Sequence, residues 1–120
     1  MSRYDMVRVA LRTHLMAAIR GRDSVGVAAL RSALSALDNA TAVPVEQPVD
    51  AMAIAGAGET EAPRRELSGE ETDQIMAEEI ADRRAQAEVF DAVHRDTEAA
   101  AARYQADLLQ RTVFGRNQSD

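Results

Sequence analysis

The sequence predicts an all-α fold: two antiparallel helical hairpins, about four helices, joined by a long disordered Pro/Gly/Ala-rich loop. Three observations predict it. Apolar residues recur at helical spacing in four separate stretches. The apolar fraction is mostly Ala, Leu, Ile and Met, with aromatics limited to Tyr4, Phe90, Tyr104 and Phe114, which suits close helix packing better than a β-sandwich. Between 38 and 66 the period vanishes, and Pro44, Pro48, Pro63 and Ala55-Gly56-Ala57-Gly58 take its place.

The first helix is expected from about Asp5 to Arg20, with Val7, Leu11, Leu15, Ala18 and Ile19 on its buried stripe. Gly21 ends it, and Asp23 or Ser24 caps a second helix running to about Leu37 through Val27, Leu30 and Leu34. So short a connection makes residues 1–37 an antiparallel hairpin. Residues 38–66 form the linker. A structureless stretch of that length is unusual within a compact domain and points to disorder or to a partner. Ser68-Gly69-Glu70-Glu71 reads as a capping box that starts a third helix, extending to about Val93 with Met76, Ile80, Ala87 and Phe90 on one stripe. His94-Arg95-Asp96 makes a tight link with Asp96 as N-cap. A fourth helix then reaches about Val113, buried through Ala101, Tyr104 and Leu108. Residues 67–113 are thus the second hairpin and 114–120 a disordered tail, all within one domain.

Composition removes several functions. The chain has 120 residues and no cysteine, so disulfides, thiolate zinc sites and Cys nucleophiles are excluded. All fourteen basic residues are arginine, which rules out Schiff-base lysines, P-loop lysines and Ser–Lys dyads. No secretory leader and no membrane span is visible, so a cytoplasmic protein is expected. The net charge of −6 is uneven: residues 1–37 carry +4 and residues 38–120 carry −10. Phosphate contacts need Lys or Arg, so only the N-terminal third suits a polyanion, unless the opposite charges merely hold the halves together.

Arg83 is the most informative single residue. Helical spacing puts it between Met76 and Phe90, in the apolar stripe, where a guanidinium needs a carboxylate. Glu79 lies one turn earlier and Arg31 at the edge of the second helix's stripe, so Arg31, Glu79 and Arg83 are a candidate charge cluster clamping the hairpins. The alternative is that Arg83 extends its head to water. Arg83-Arg84 and Arg64-Arg65 are a weak phosphate signal, set among acids with no aromatic platform. Asp91 and His94 have carboxylate-x-x-His spacing, but a di-metal bundle needs that motif twice. No metal and no cofactor are expected, and His14 and His94 read as surface residues. Ser24, Ser32, Ser35 and Ser68 have no His and acid at suggestive positions, and no Gly-x-Ser-x-Gly turn occurs, so no catalytic residue is assigned.

Several segments, in order, resemble the GatB/YqeY family of helical proteins, in particular its YqeY-like members of the actinobacterial type. They are Ala18-Ile19-Arg20-Gly21-Arg22-Asp23, Leu30-Arg31, Leu34-Ser35-Ala36-Leu37-Asp38-Asn39-Ala40, the insert opening with Ala42-Val43-Pro44, Arg64-Arg65-Glu66-Leu67-Ser68, and Glu79-Ile80 with Arg83-Arg84. The resemblance covers the family's first helical domain only. It implies a link to tRNA-dependent amidotransferase, a carbon–nitrogen ligase with glutamine as amide donor, and to translation-associated metabolism. Its Ser–Ser–Lys amidase chemistry belongs to another subunit and needs a lysine this chain lacks. The expectation is therefore a non-catalytic accessory protein contacting tRNA or an amidotransferase or translation component through Arg8, Arg12, Arg20, Arg22 and Arg31. The alternative is a protein–protein adaptor or homodimer without nucleic-acid binding.

Overall fold

The computed structural model describes residues 1–42 and 65–115. Among them are four helices: α1 (Arg3–Arg20), α2 (Ser24–Thr41), α3 (Gly69–Ala92) and α4 (Asp96–Phe114). They pair as two hairpins, α1–α2 and α3–α4, with α2 and α4 forming the main contact between them. The expected disorder of the central loop and tail falls on 43–64 and 116–120, outside the described residues. At the near edge of that loop the expectation is corrected. Helix α2 does not stop at Leu37 but continues to Thr41, because no breaker intervenes and buried Thr41 prolongs the stripe. The Arg65 N–H donates to the Thr41 carbonyl at 2.9 Å, so the two flanks of 43–64 lie together.

Helix α1 starts two residues earlier than expected. Ser2 and Asp5 form a reciprocal capping box there, and Ser68 and Glu71 form the same box at the start of α3. The core comprises Val7 and Leu11 of α1; Ala29, Leu30, Ala33 and Leu37 of α2; Leu67; Met76 and Ile80 of α3; and Ala106, Leu108, Leu109 and Val113 of α4. Ile19, expected inside, is 43% exposed, since it lies about 100° around the helix from Ala18, which packs against the core.

Both helix-to-helix turns use one device. Asp23 N–H donates to the Ala18 carbonyl and Arg95 N–H to the Phe90 carbonyl, each at 2.9 Å, the six-to-one bond of a Schellman motif. The left-handed residue is not glycine in either case but Arg22 (φ 56°) and His94 (φ 62°). The next residue is the N-cap. Asp23 fills that role as expected, whereas the second cap is Arg95 rather than Asp96 and makes no side-chain capping bond.

Helix α4 corrects the expected face in part: Leu108 is buried as expected, but its companions are not. Ala101 is half-buried and Tyr104 is 41% exposed, while Ala99, Ala102, Ala106, Leu109 and Val113 are buried. The run Ala99-Ala100-Ala101-Ala102 has no phase of its own, so bulkier Leu109 and Val113 decide which side turns inward. Beyond the core, the outer half of the α3–α4 seam is lined by Ala87, Ala99 and Ala102, allowing close helix approach with little apolar volume. Gly26 marks another close approach. A Cβ there would lie 2.3 Å from Asp23 Oδ2 and 3.1 Å from Leu108 Cδ2, so glycine lets α2 meet α4 while Asp23 keeps its cap.

Candidate functional site

The half-buried charge site lies where α3 faces α2. Arg83 Nη1 donates to Glu79 Oε1 at 3.0 Å, and the two side chains are 12% and 19% exposed. Ser32 Oγ of α2 donates to the same Glu79 oxygen at 3.1 Å. Glu79 therefore takes a hydroxyl from one hairpin and a guanidinium from the other, which locks the register of α2 against α3. Arg83 does not extend its head to water; its Nε is buried without a hydrogen-bond partner among the described residues. Arg31 does not join the cluster. It is exposed, no described carboxylate pairs with it, and the neighbouring residue Ser32 stands where its guanidinium was expected. A buried residue and its helical neighbour differ by about 100°, so an edge position readily falls outside.

The remaining arginines divide by location. Arg84 approaches Asp107 at 4.0 Å, Arg95 pairs with Glu98 at 2.9 Å, Arg65 with Glu71 at 2.9 Å, and Arg103 with Asp91. Arg3 joins the hairpins, with Nε on Asp73 at 2.7 Å and Nη2 on the Val113 carbonyl at 3.0 Å. In the first hairpin Arg8 is held by Asp38 at 2.5 Å. Burial opposes its charge, but the Asp38 carboxylate and the Tyr4 phenol oxygen outweigh this and raise its pKa. Arg12, Arg20, Arg22 and Arg31 are exposed, and none makes an ion pair with a described residue. Of the five arginines expected to form a contact surface, one is committed internally and four remain outward.

A hollow of about 240 Å³ between α3 and α4 is lined by Arg84, Glu88, Arg103 and Asp107 among others. Its guanidiniums face carboxylates, so it offers no net attraction for an anion. Among the described residues, no three His, Asp or Glu side chains converge as metal ligands. Asp91 is engaged by Arg103, and His14 Nδ1 lies 2.9 Å from the Ala10 carbonyl of its own helix. Arg83 and Arg65 are both engaged by carboxylates, and Arg64 lies outside the described residues. Among the described residues, no helix is long and apolar enough to cross a membrane.

The bond between Tyr104 and the α2 cap is not legible in the sequence. Tyr104 OH donates to Asp23, whose other oxygen accepts the Gly26 N–H at 3.0 Å. The phenol and then the amide hold the Asp23 carboxyl below its ordinary range, and the same bond raises the Tyr104 pKa. Glu71 is likewise lowered, first by the Ser68 N–H and then by Arg65. Nothing local in the sequence marks a tyrosine as the partner of a cap 81 residues away. The outer face of α1 also escaped notice. Met6, Val9 and Met16 are 52%, 52% and 53% exposed, a pattern its 3-4-3 spacing with Thr13 could have revealed. No protein-family model, curated protein or solved structure matches the chain.

Proposed function

We propose that the chain is a small non-catalytic helical accessory module of the GatB/YqeY type, working in the cytoplasm on tRNA or in amidotransferase- or translation-linked metabolism. The observation that carries the reading is the set of outward arginines, Arg12, Arg20, Arg22 and Arg31, on one hairpin of an acidic protein. Internal ion pairing occupies Arg83, Arg84, Arg95 and Arg103 of the other hairpin. Free guanidiniums carried on one hairpin are what a polyanion contact requires. Mobility shift with bulk tRNA at low and moderate salt tests the reading. Retardation should weaken as salt rises, and replacing all four arginines by alanine should remove it without lowering thermal stability. No retardation of the wild-type chain at low salt defeats the nucleic-acid part.

A second reading, an adaptor or homodimer, is favoured by the exposed Met6, Val9, Met16 and Ile19 beside those arginines. Phosphates have no use for such side chains, whereas an apolar partner surface does.

A further inference from the structure

Met6, Val9, Thr13 and Met16 occupy successive a and d positions of a heptad on the side of α1 turned away from the core. Ala10 and Ala17 flank them on one side, small enough for another helix to approach closely, and Asp5, Arg12 and Ile19 flank them on the other. Arg20 falls at the next a position, at the end of the seam. Arg31 borders the Arg12 side. It lies two turns before Asp38 on the same face of α2, and Asp38 binds Arg8, which precedes Arg12 by one turn. Helix α1 is therefore apolar on two faces. One is spent on the core through Val7 and Leu11, and the other is exposed and edged by guanidiniums that no described carboxylate neutralises.

We infer that this outer face of α1 docks an acidic amphipathic helix of another protein, with apolar a and d residues on Met6, Val9, Thr13 and Met16 and carboxylates against Arg12, Arg20 and Arg31. The inference rests on the accessory-module reading and names the class of its partner. Charge selects the occupant. Two copies of α1 paired antiparallel set Arg12 against its own symmetry mate, and paired parallel they set Arg20 against its mate within the seam. A glutamate-bearing helix converts both positions into attraction, and burial of half-exposed Met and Val side chains supplies the apolar part. RNA would satisfy the arginines but leave that apolar strip wet.

The test uses the full chain and two synthetic three-heptad helical peptides, each with leucine at a and d. One carries glutamate at e and g, and its twin carries lysine there. Fluorescence anisotropy should show the glutamate peptide binding wild type and the lysine twin failing. Val9→Gln and Met16→Gln keep the charge and replace exposed side chains, so their melting curves should match wild type. Each should still weaken the glutamate peptide by about tenfold or more. The Arg12→Glu/Arg20→Glu variant should exchange its preference for the lysine twin. Equal binding of the glutamate peptide by wild type and Val9→Gln, or no binding at all, overturns the inference. So does a wild-type dimer in sedimentation that Val9→Gln disperses, since the occupant is then a second copy. The tRNA shift separates the two readings. If wild type and Val9→Gln retard tRNA alike while the peptide fails, this inference falls and the proposed function stands; if tRNA and peptide both fail, both fall.

Discussion

The two hairpins share a turn and differ in what surrounds it. Each closes with a Schellman motif on a left-handed non-glycine residue, Arg22 in one and His94 in the other. In the first the following residue, Asp23, caps α2, binds Tyr104 and sits against the core-facing Gly26. In the second the following residue is Arg95, whose side chain makes no capping bond and pairs only with half-buried Glu98. The first hairpin buries leucines and leaves arginines outside. The second pairs Arg83, Arg84, Arg95 and Arg103, leaves Arg111 outside, and closes its outer half on alanine. The same residue type thus stabilises the helix surface in one hairpin and is left available in the other. Local backbone geometry repeats; the use made of charge does not.

The largest effect should come from the seam between the hairpins. Leu30→Ala, fully buried on α2, should cost about 2–5 kcal/mol in chemical denaturation. The converse change, Ala102→Leu in the outer α3–α4 seam, should cost less, about 1–3 kcal/mol, by forcing two close helices apart. If the enlargement costs as much as the truncation, the outer half is not a separate, thinly packed region. Next in size is Glu79→Ala, which leaves a mostly buried guanidinium uncompensated and frees Ser32; a loss of about 2–3 kcal/mol is expected. Restoration by Arg83→Met in the same chain would show the cost to be the orphaned charge rather than the missing contact.

Smaller still, Arg95→Asp should stabilise the protein by about 1 kcal/mol, by giving α4 the cap that α2 already has. Loss of the surface Arg95–Glu98 pair offsets little of this. A neutral or destabilising outcome would mean that the two turns are not equivalent. The mildest difference is in acid. The Asp23 pKa is lower in the folded state than in the unfolded chain, so its stabilising effect is complete above the ordinary carboxylate range. That effect is lost as pH falls from there through the folded value. Acid titration of stability should therefore be shallower in Asp23→Asn than in wild type over that window, while the neutral-pH melting curves stay close because asparagine also caps.

Elements with bulky periodic residues were legible in the sequence. Leu11, Leu30, Leu37, Met76 and Ile80 are buried as their spacing requires, and the Ser68–Glu71 box begins α3. The fourth helix and its buried Leu108 are legible, but the rest of its inner face is not, because alanine at 99 to 102 carries no phase and Tyr104 turns its hydroxyl outward to Asp23. The Glu79–Arg83 pair was readable because both partners lie on one helix; Ser32 was not, because its contact depends on the register between α2 and α3. That register emerges only when the core shared by α2 and α3, with Leu30, Ala33 and Ile80 in it, packs together, and no local pattern encodes it.

Arg3 has a kinetic consequence. It spans 110 positions to reach the Val113 carbonyl and also holds Asp73. Each hairpin, by contrast, closes its turn within a few neighbours. Loop-closure entropy therefore favours assembling the hairpins first and engaging this clasp last. An Arg3→Ala chain should then refold at nearly the wild-type rate and come apart faster, making Arg3 a brake on opening rather than a nucleus of collapse.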